Sequence, residues 1–200
     1  MKLILASASP RRAEILRNAG IQFEISSAGV DESPLGNELP GDYVRRLALA
    51  KALSAAEANR GRAVGALVLG ADTIVAVGGE ILGKPASPDD ARRMLRRLSG
   101  NIHEVHTGLA LVRNPGPKQY VVEEITRVHF APLTDQEIEE YIATGEPFDK
   151  AGAYGIQGVG GRYVTRIEGC YFNVMGLPLA RLYSLLRESG WEDSFLLSAD

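Results

Sequence analysis

Cysteine and histidine are scarce, and long apolar runs are missing. Cys170 is the only cysteine, so no intrachain disulfide can form and a reducing, cytoplasmic compartment is the natural expectation. Its thiol is expected as a small buried hydrophobe. The three histidines are His103, His106 and His129. His103 and His106 lie three apart in a strand-like run and face opposite ways, which argues against a zinc cluster. The N-terminal Leu3-Ile4-Leu5-Ala6 is cut off by Ser7, Ser9, Pro10 and two arginines, too soon for a signal peptide, and no later run is long enough to span a bilayer. No membrane partner is therefore expected. A formal charge of −3 argues against bulk nucleic-acid binding, which needs a basic surface to neutralise phosphates. Low-complexity tracts and internal repeats are also missing.

What is present is ordinary globular composition: 200 residues, 45% hydrophobic and 24% charged, enough for one large domain or two small lobes sharing a core. The stretch Leu67 to Lys84 reads as two strands joined at Gly78-Gly79, a dipeptide that tolerates positive φ. Asp72 does not fit that pattern. A carboxylate in an apolar strand needs a cation, a metal or catalytic work, because burying it unpaired costs several kcal/mol or raises its pKa. A tight turn at Gly78-Gly79 would place Lys84 across from Thr73, on the rung beside Asp72. That arrangement suits a site, and it also suits a structural ion pair.

Before this hairpin, Lys2 to Ala6 is a short strand and Ser9-Pro10 starts a helix, with Ser9 as N-cap. Arg11 and Arg12 sit in the first turn, where they oppose the helix dipole unless an anion is bound. Phe23 to Ser27 reads as a strand, and Val30-Asp31-Glu32-Ser33-Pro34 as an acidic loop. Pro40 opens an alanine-rich helix whose stripe Val44, Leu47, Ala48 and Lys51 brings a lysine into line with the buried face. That lysine either snorkels or points to a phosphate.

After the hairpin, Ser87-Pro88 begins another helix, with Arg92, Arg93, Arg96 and Arg97 as a solvated face. Val105 to Val112 and Tyr120 to Ala131 read as strands across Asn114-Pro-Gly-Pro117. Thr134 with Glu137 is a capping box. Gly145 to Gly161 is a glycine-rich loop with Asp149, Lys150 and Gln157 embedded, suited to close backbone approach to a ligand or to ordinary turns. Tyr163 to Ile167 and Tyr171 to Met175 read as a last hairpin, and Pro178 begins the final helix.

Five segments together resemble the Maf family of nucleoside triphosphate pyrophosphatases. They are Leu5-Ala6-Ser7-Ala8-Ser9-Pro10-Arg11-Arg12, Gly70-Ala71-Asp72-Thr73, Gly83-Lys84-Pro85, Asp149 to Gly158 and Val174-Met175-Gly176-Leu177-Pro178, in the family's order. The resemblance implies an α/β fold related to inosine triphosphate pyrophosphatases: a single domain over 1–200 with an elongated mixed sheet flanked by helices, two lobes and a central cleft. It implies hydrolysis of a nucleoside triphosphate to monophosphate and pyrophosphate with a divalent cation, Mg²⁺ or Mn²⁺. By position, Ser7, Arg11 and Arg12 match the phosphate-binding motif, and Glu32, Lys51, Asp72 and Lys84 match the catalytic set, with Asp72 as the water-activating base or a metal ligand and Glu32 as a metal ligand beside it. The trio Arg12, Thr73 and Gln157 resembles the branch acting on dTTP and UTP, modified pyrimidine triphosphates included as candidates. The family's association with septum formation raises an alternative, a nucleotide-binding regulator of cell division without turnover. Oligomeric state is left open, a homodimer among the options.

Overall fold

The computed structural model describes residues 1–27, 29–116 and 118–191. Strand β1 (Leu3–Ala6) feeds helix α1 (Pro10–Asn18) and a short β2 (Glu24–Ile25); helix α2 (Pro40–Ala58) leads into β3 (Ala66–Val77) and β4 (Glu80–Leu82). Helix α3 (Pro88–Leu98), strands β5 (Ile102–Asn114) and β6 (Gln119–Phe130) and helix α4 (Asp135–Ala143) follow. Three 3₁₀ turns (Glu146–Asp149, Ala151–Ala153 and Val159–Tyr163) then lead to β7 (Val164–Glu168), α5 (Tyr171–Val174) and α6 (Leu179–Glu188). Among the described residues the strands form one sheet in the order β2-β1-β3-β5-β6-β7, with β4 paired to β3. β1 runs parallel to β2 and β3, whereas β4 on β3 and β7 on β6 are antiparallel. The sheet is therefore mixed, in the α/β class expected.

The turn between β3 and β4 is the one its glycines predict: Gly78 and Gly79 have φ of 57° and 83°, values that cost a side-chain-bearing residue strain. The register Val75↔Leu82, Ala76↔Ile81, Val77↔Glu80 is the one that, extended, sets Thr73 opposite Lys84. Pairing stops at Leu82, however, and Lys84 follows in an exposed bend.

The described residues divide into two compact units, one drawn from Met1–Asp72, Thr107–Glu124 and the stretch from Gly176 to Trp191, the other from Thr73–His106 and Ile125–Met175. In the first unit α2 lies on its strands through small side chains, Ala48, Ala52, Ala55 and Ala56 meeting Ile4, Ala6, Val68, Ala110 and Val112. Glycine makes the approach closer still. A Cβ on Gly70 would stand 2.0 Å from the Ala48 carbonyl oxygen, and one on Gly108 2.2 Å from that of Val44. The alanine-rich composition of α2 is thus what lets its backbone rest on the sheet.

The second unit is built on larger side chains, with Met94, Leu95, Leu98, Phe130, Tyr141, Tyr154 and Tyr163 in one cluster. The capping box of α4 is present, Glu137 N donating to Thr134 Oγ1 at 3.2 Å and Thr134 N to Glu137 Oε2 at 2.8 Å. The arginine face of α3 is not simply solvated. Arg92 pairs with Asp89 and Glu139, Arg93 with Asp90 and Glu80, Arg96 with Asp135, and Arg97 with Glu80. Solvent screens each exposed pair, but together they cancel the positive face.

Two expectations fail in this unit. The hairpin of Tyr163 to Ile167 with Tyr171 to Met175 does not form: β7 pairs with β6, and Tyr171–Val174 is one turn of helix. Buried Asn173 explains the turn, its Nδ2 donating to the Val105 carbonyl at 2.9 Å and to Thr126 Oγ1 at 3.0 Å, a tertiary demand that overrides strand propensity. Cys170 is only half-buried and serves through its backbone, its amide donating to Thr126 Oγ1 at 3.0 Å. Among the described residues no helix is long and apolar enough to cross a membrane. Pro117 of the expected β5–β6 turn and the tail from residue 192 lie outside the described residues.

Candidate active site

The turn from β1 into α1 is organised by Ser7 rather than by a side-chain cap. Ser9 occupies the N-cap position without a side-chain cap bond, and its amide donates to Ser7 Oγ at 3.2 Å. Arg12 is 9% exposed. Its Nη1 donates to Ser7 Oγ at 3.1 Å and to the Ala71 carbonyl at 2.9 Å, and its Nε donates to the Gly176 carbonyl at 2.8 Å. One guanidinium therefore ties the α1 N-terminus to the residue before Asp72 and to Gly176. Burial holds the Arg12 pKa below its ordinary value, and the Asp72 charge works against that shift. Arg11, half-buried, sits beside it in a first turn that contains no acidic residue.

Asp72 follows Gly70 by two residues on β3, so both face the same side of the strand. That side is the one on which the α2 backbone rests, and Lys51 lies three residues beyond Ala48, on the same stripe. The result is an ion pair: Lys51 Nζ donates to Asp72 Oδ1 at 2.5 Å. The same ammonium stands 2.7 Å from Glu32 Oε1. Side-chain exposure is 11% for Asp72, 14% for Lys51 and 57% for Glu32, so one inner carboxylate and one outer carboxylate bracket a nearly buried cation.

The acidic loop that carries Glu32 has no regular structure, yet it is fixed from α2. Tyr43 Oη donates to the Glu32 carbonyl at 2.7 Å. Arg46 grips the Glu38 carboxylate with Nε and Nη2, both at 2.7 Å, and Nη2 also donates to the Ser33 carbonyl at 3.1 Å. Burial first, then the Asp72 and Glu32 charges, hold the Tyr43 phenol above its ordinary pKa. Sequence reasoning missed Tyr43; a polar-tipped aromatic in the first turn of a helix that follows an irregular loop was the available signal.

Ser7, Arg12, Glu32, Lys51 and Asp72 thus form one connected set in the first unit. In the second unit, Thr73 is half-buried, Lys84 is exposed beyond β4, and Gln157 is exposed in the glycine-rich segment. Lys150 Nζ donates to Asp149 Oδ1 at 2.6 Å and to the Glu146 carbonyl at 2.7 Å, contacts that fasten the start of that segment. Glu146 itself escaped the sequence reading. A loop rich in backbone amides needs acceptors, and a glutamate at its start is a natural one.

A divalent cation can be tested against this donor set. Glu32 and Asp72 offer hard carboxylate oxygens, and no group of three or more His, Cys, Asp or Glu converges among the described residues. Two carboxylates are the protein share that a hard divalent cation takes when phosphate and water complete its shell.

The chain is 52% identical over 195 residues, 96% of each chain, to the dTTP/UTP pyrophosphatase of Hahella chejuensis. It is 53% identical over 189 residues to that of Geobacter sp. strain M21, covering 94% of this chain and 95% of the relative. A solved nucleoside-triphosphatase / dITP/XTP pyrophosphatase from Mycobacterium abscessus aligns with 94% of this chain and 97% of its own at 17% identity and a TM-score of 0.41, so the α/β assignment stands on the sheet and helices above. The Maf-like protein family matches residues 2–189, and it is to this family that the chain belongs.

Proposed function

We propose that this protein hydrolyses dTTP and UTP to the nucleoside monophosphate and pyrophosphate. The observation that carries the reading is Lys51 held between Asp72 and Glu32, in a chain about half identical to dTTP/UTP pyrophosphatases over nearly its full length. Water attacks the α-phosphorus, the bond from that phosphorus to the α,β-bridging oxygen breaks, and pyrophosphate leaves with the electron pair. Asp72 accepts the proton of the attacking water. Lys51 orients that carboxylate and, with Arg11, Arg12 and Lys84, offsets charge growing on the phosphate oxygens. Ser7 presents a hydroxyl at the same helix N-terminus. Glu32 and Asp72 would hold a divalent cation, which would supply Lewis-acid charge at the phosphate. Thr73 and Gln157 supply the hydroxyl and the amide donor and acceptor that a uracil or thymine edge requires.

Incubation with dTTP and Mg²⁺ in ¹⁸O-labelled water tests this directly. Monophosphate carrying the label, with unlabelled pyrophosphate, is the expected result; orthophosphate with nucleoside diphosphate refutes the bond assignment. Asp72→Asn should lower kcat by about 100-fold or more while leaving the fold intact, because the general base is lost but its shape is kept. Tight nucleotide binding without product would instead identify a nucleotide-binding regulator.

A further inference from the structure

We propose that Glu146 and Tyr141 are the positioning residues that hold Gln157 in place and thereby set the choice of base, an inference that rests on the role of Gln157 proposed above. Gln157 is exposed and lies in an irregular segment, where an untethered amide would sample many orientations and discriminate poorly. The segment is fastened on both sides of it. Upstream, the Gly155 amide donates to the Tyr141 hydroxyl at 3.2 Å. Downstream, the Val159 amide donates to Glu146 Oε2 at 2.8 Å and the Gly160 amide to Glu146 Oε1 at 3.2 Å. The two anchors are joined, because Tyr141 Oη donates to Glu146 Oε1 at 2.8 Å. A single phenol–carboxylate pair thus brackets the residue that would read the base.

The glycines of the segment fit this latch. A Cβ on Gly158 would stand 2.3 Å from Glu146 Oε2, and one on Gly160 2.5 Å from the Tyr141 hydroxyl. The close approach expected of this loop is therefore made, at these two positions, to the latch itself. Glu146 is shielded, which by itself disfavours its charge, but hydrogen bonds from Tyr141, Val159 and Gly160 and the Lys150 charge outweigh that effect and keep its pKa below the ordinary value. An ionised carboxylate is the acceptor that several converging donors require. Tyr141 is anchored in turn, as one of the largest fully buried side chains of the protein.

The test compares kcat/KM for dTTP, UTP and dCTP in wild type, Glu146→Gln, Tyr141→Phe and Gln157→Ala. Replacing the carboxylate by an amide sets an NH₂ group against one of the two backbone amides and removes the charge. In Glu146→Gln, kcat/KM for dTTP and UTP should fall about tenfold and that for dCTP less than twofold, so that discrimination collapses. Amide exchange at Val159 and Gly160 should accelerate. Tyr141→Phe, which removes one oxygen, should act in the same direction to a smaller extent and carries the test if Glu146→Gln fails to fold. Combined with Gln157→Ala, Glu146→Gln should change discrimination no further. Equal losses on all three nucleotides, an unchanged ratio, or an additive loss in the double variant would overturn the proposal. A wild-type protein that forms no monophosphate and pyrophosphate from dTTP would overturn the proposed function instead, while unchanged exchange at Val159 and Gly160 would still refute the latch.

Discussion

His103 is 1% exposed in the second unit, where its Nε2 shares a 2.8 Å hydrogen bond with the Tyr154 hydroxyl. Its Nδ1 has no hydrogen-bond partner among the described residues. The rings of Phe130 and Tyr154 meet it edge-on at 5.6 and 5.3 Å between centroids. Burial first, and then His129, push its pKa from 6.5 down to about 4. Well above pH 6.5 the ring is uncharged both folded and unfolded, so it contributes no pH dependence there. As pH falls through 6.5 the unfolded chain takes up a proton that the folded protein refuses, and the native state loses stability until pH reaches about 4. At about 1.4 kcal/mol per pH unit the full loss is about 3 kcal/mol, and by pH 5 it is about 2 kcal/mol.

Urea unfolding followed by circular dichroism at pH 7.5 and pH 5.0, for wild type and His103→Gln, measures that difference. The variant loses ring packing and is less stable at both pH values. Between them, wild type should lose about 2 kcal/mol more than the variant, since the carboxylates common to both cancel. Equal losses would refute the reasoning, because they would mean that the folded protein accommodates the imidazolium. Titration of the imidazole by NMR offers an independent check, with no charging expected above pH 5.

Gly70→Ala should cost about 3 kcal/mol, seen as a lower urea midpoint at unchanged m-value, because its Cβ would meet backbone of α2 rather than a yielding side chain. Gly61→Ala, with nothing within 4 Å, should stay within about 0.5 kcal/mol of wild type. Tyr43→Phe removes the hydrogen bond to the Glu32 carbonyl and should lower kcat/KM for dTTP about fivefold with little change in unfolding midpoint. An unchanged kcat/KM would show that the acidic loop does not depend on this tether.

Residues that contradict their local surroundings were the legible part of the site. Asp72 in an apolar strand and Lys51 on an otherwise apolar helix stripe each break the pattern of their own element, and both oddities resolve in one 2.5 Å contact. The arginines of α1 stood out for the same reason, as cations at the positive end of a helix. Glu146, Tyr141 and Tyr43 break no local pattern. Their work is hydrogen bonding to backbone groups brought near by the chain's path, and periodicity carries no trace of that. Tyr171 to Met175 shows the converse error, since its aromatic and β-branched residues favour a strand while Asn173 demands a turn of helix. The pairings of the α3 arginines were hidden too, because Glu139 and Asp135 belong to another helix.

The meeting of Lys51 with Asp72 depends less on either residue than on the glycine and alanines beside them. Lysine and aspartate could pair at many separations, since a lysine side chain is long and flexible. What narrows the geometry is that α2 cannot move off the strand without opening a gap lined by Ala48, Ala52 and Gly70, and cannot move closer without backbone overlap. Interfaces of such small residues leave little slack, because no long rotamer is available to refill the space. Lys51 is therefore delivered to within hydrogen-bond reach by the backbone, and its side-chain freedom is used only for the last adjustment. An alanine-rich helix facing a glycine in the strand, two residues before an out-of-place carboxylate, is accordingly a stronger sign of a built site than the charged pair taken alone.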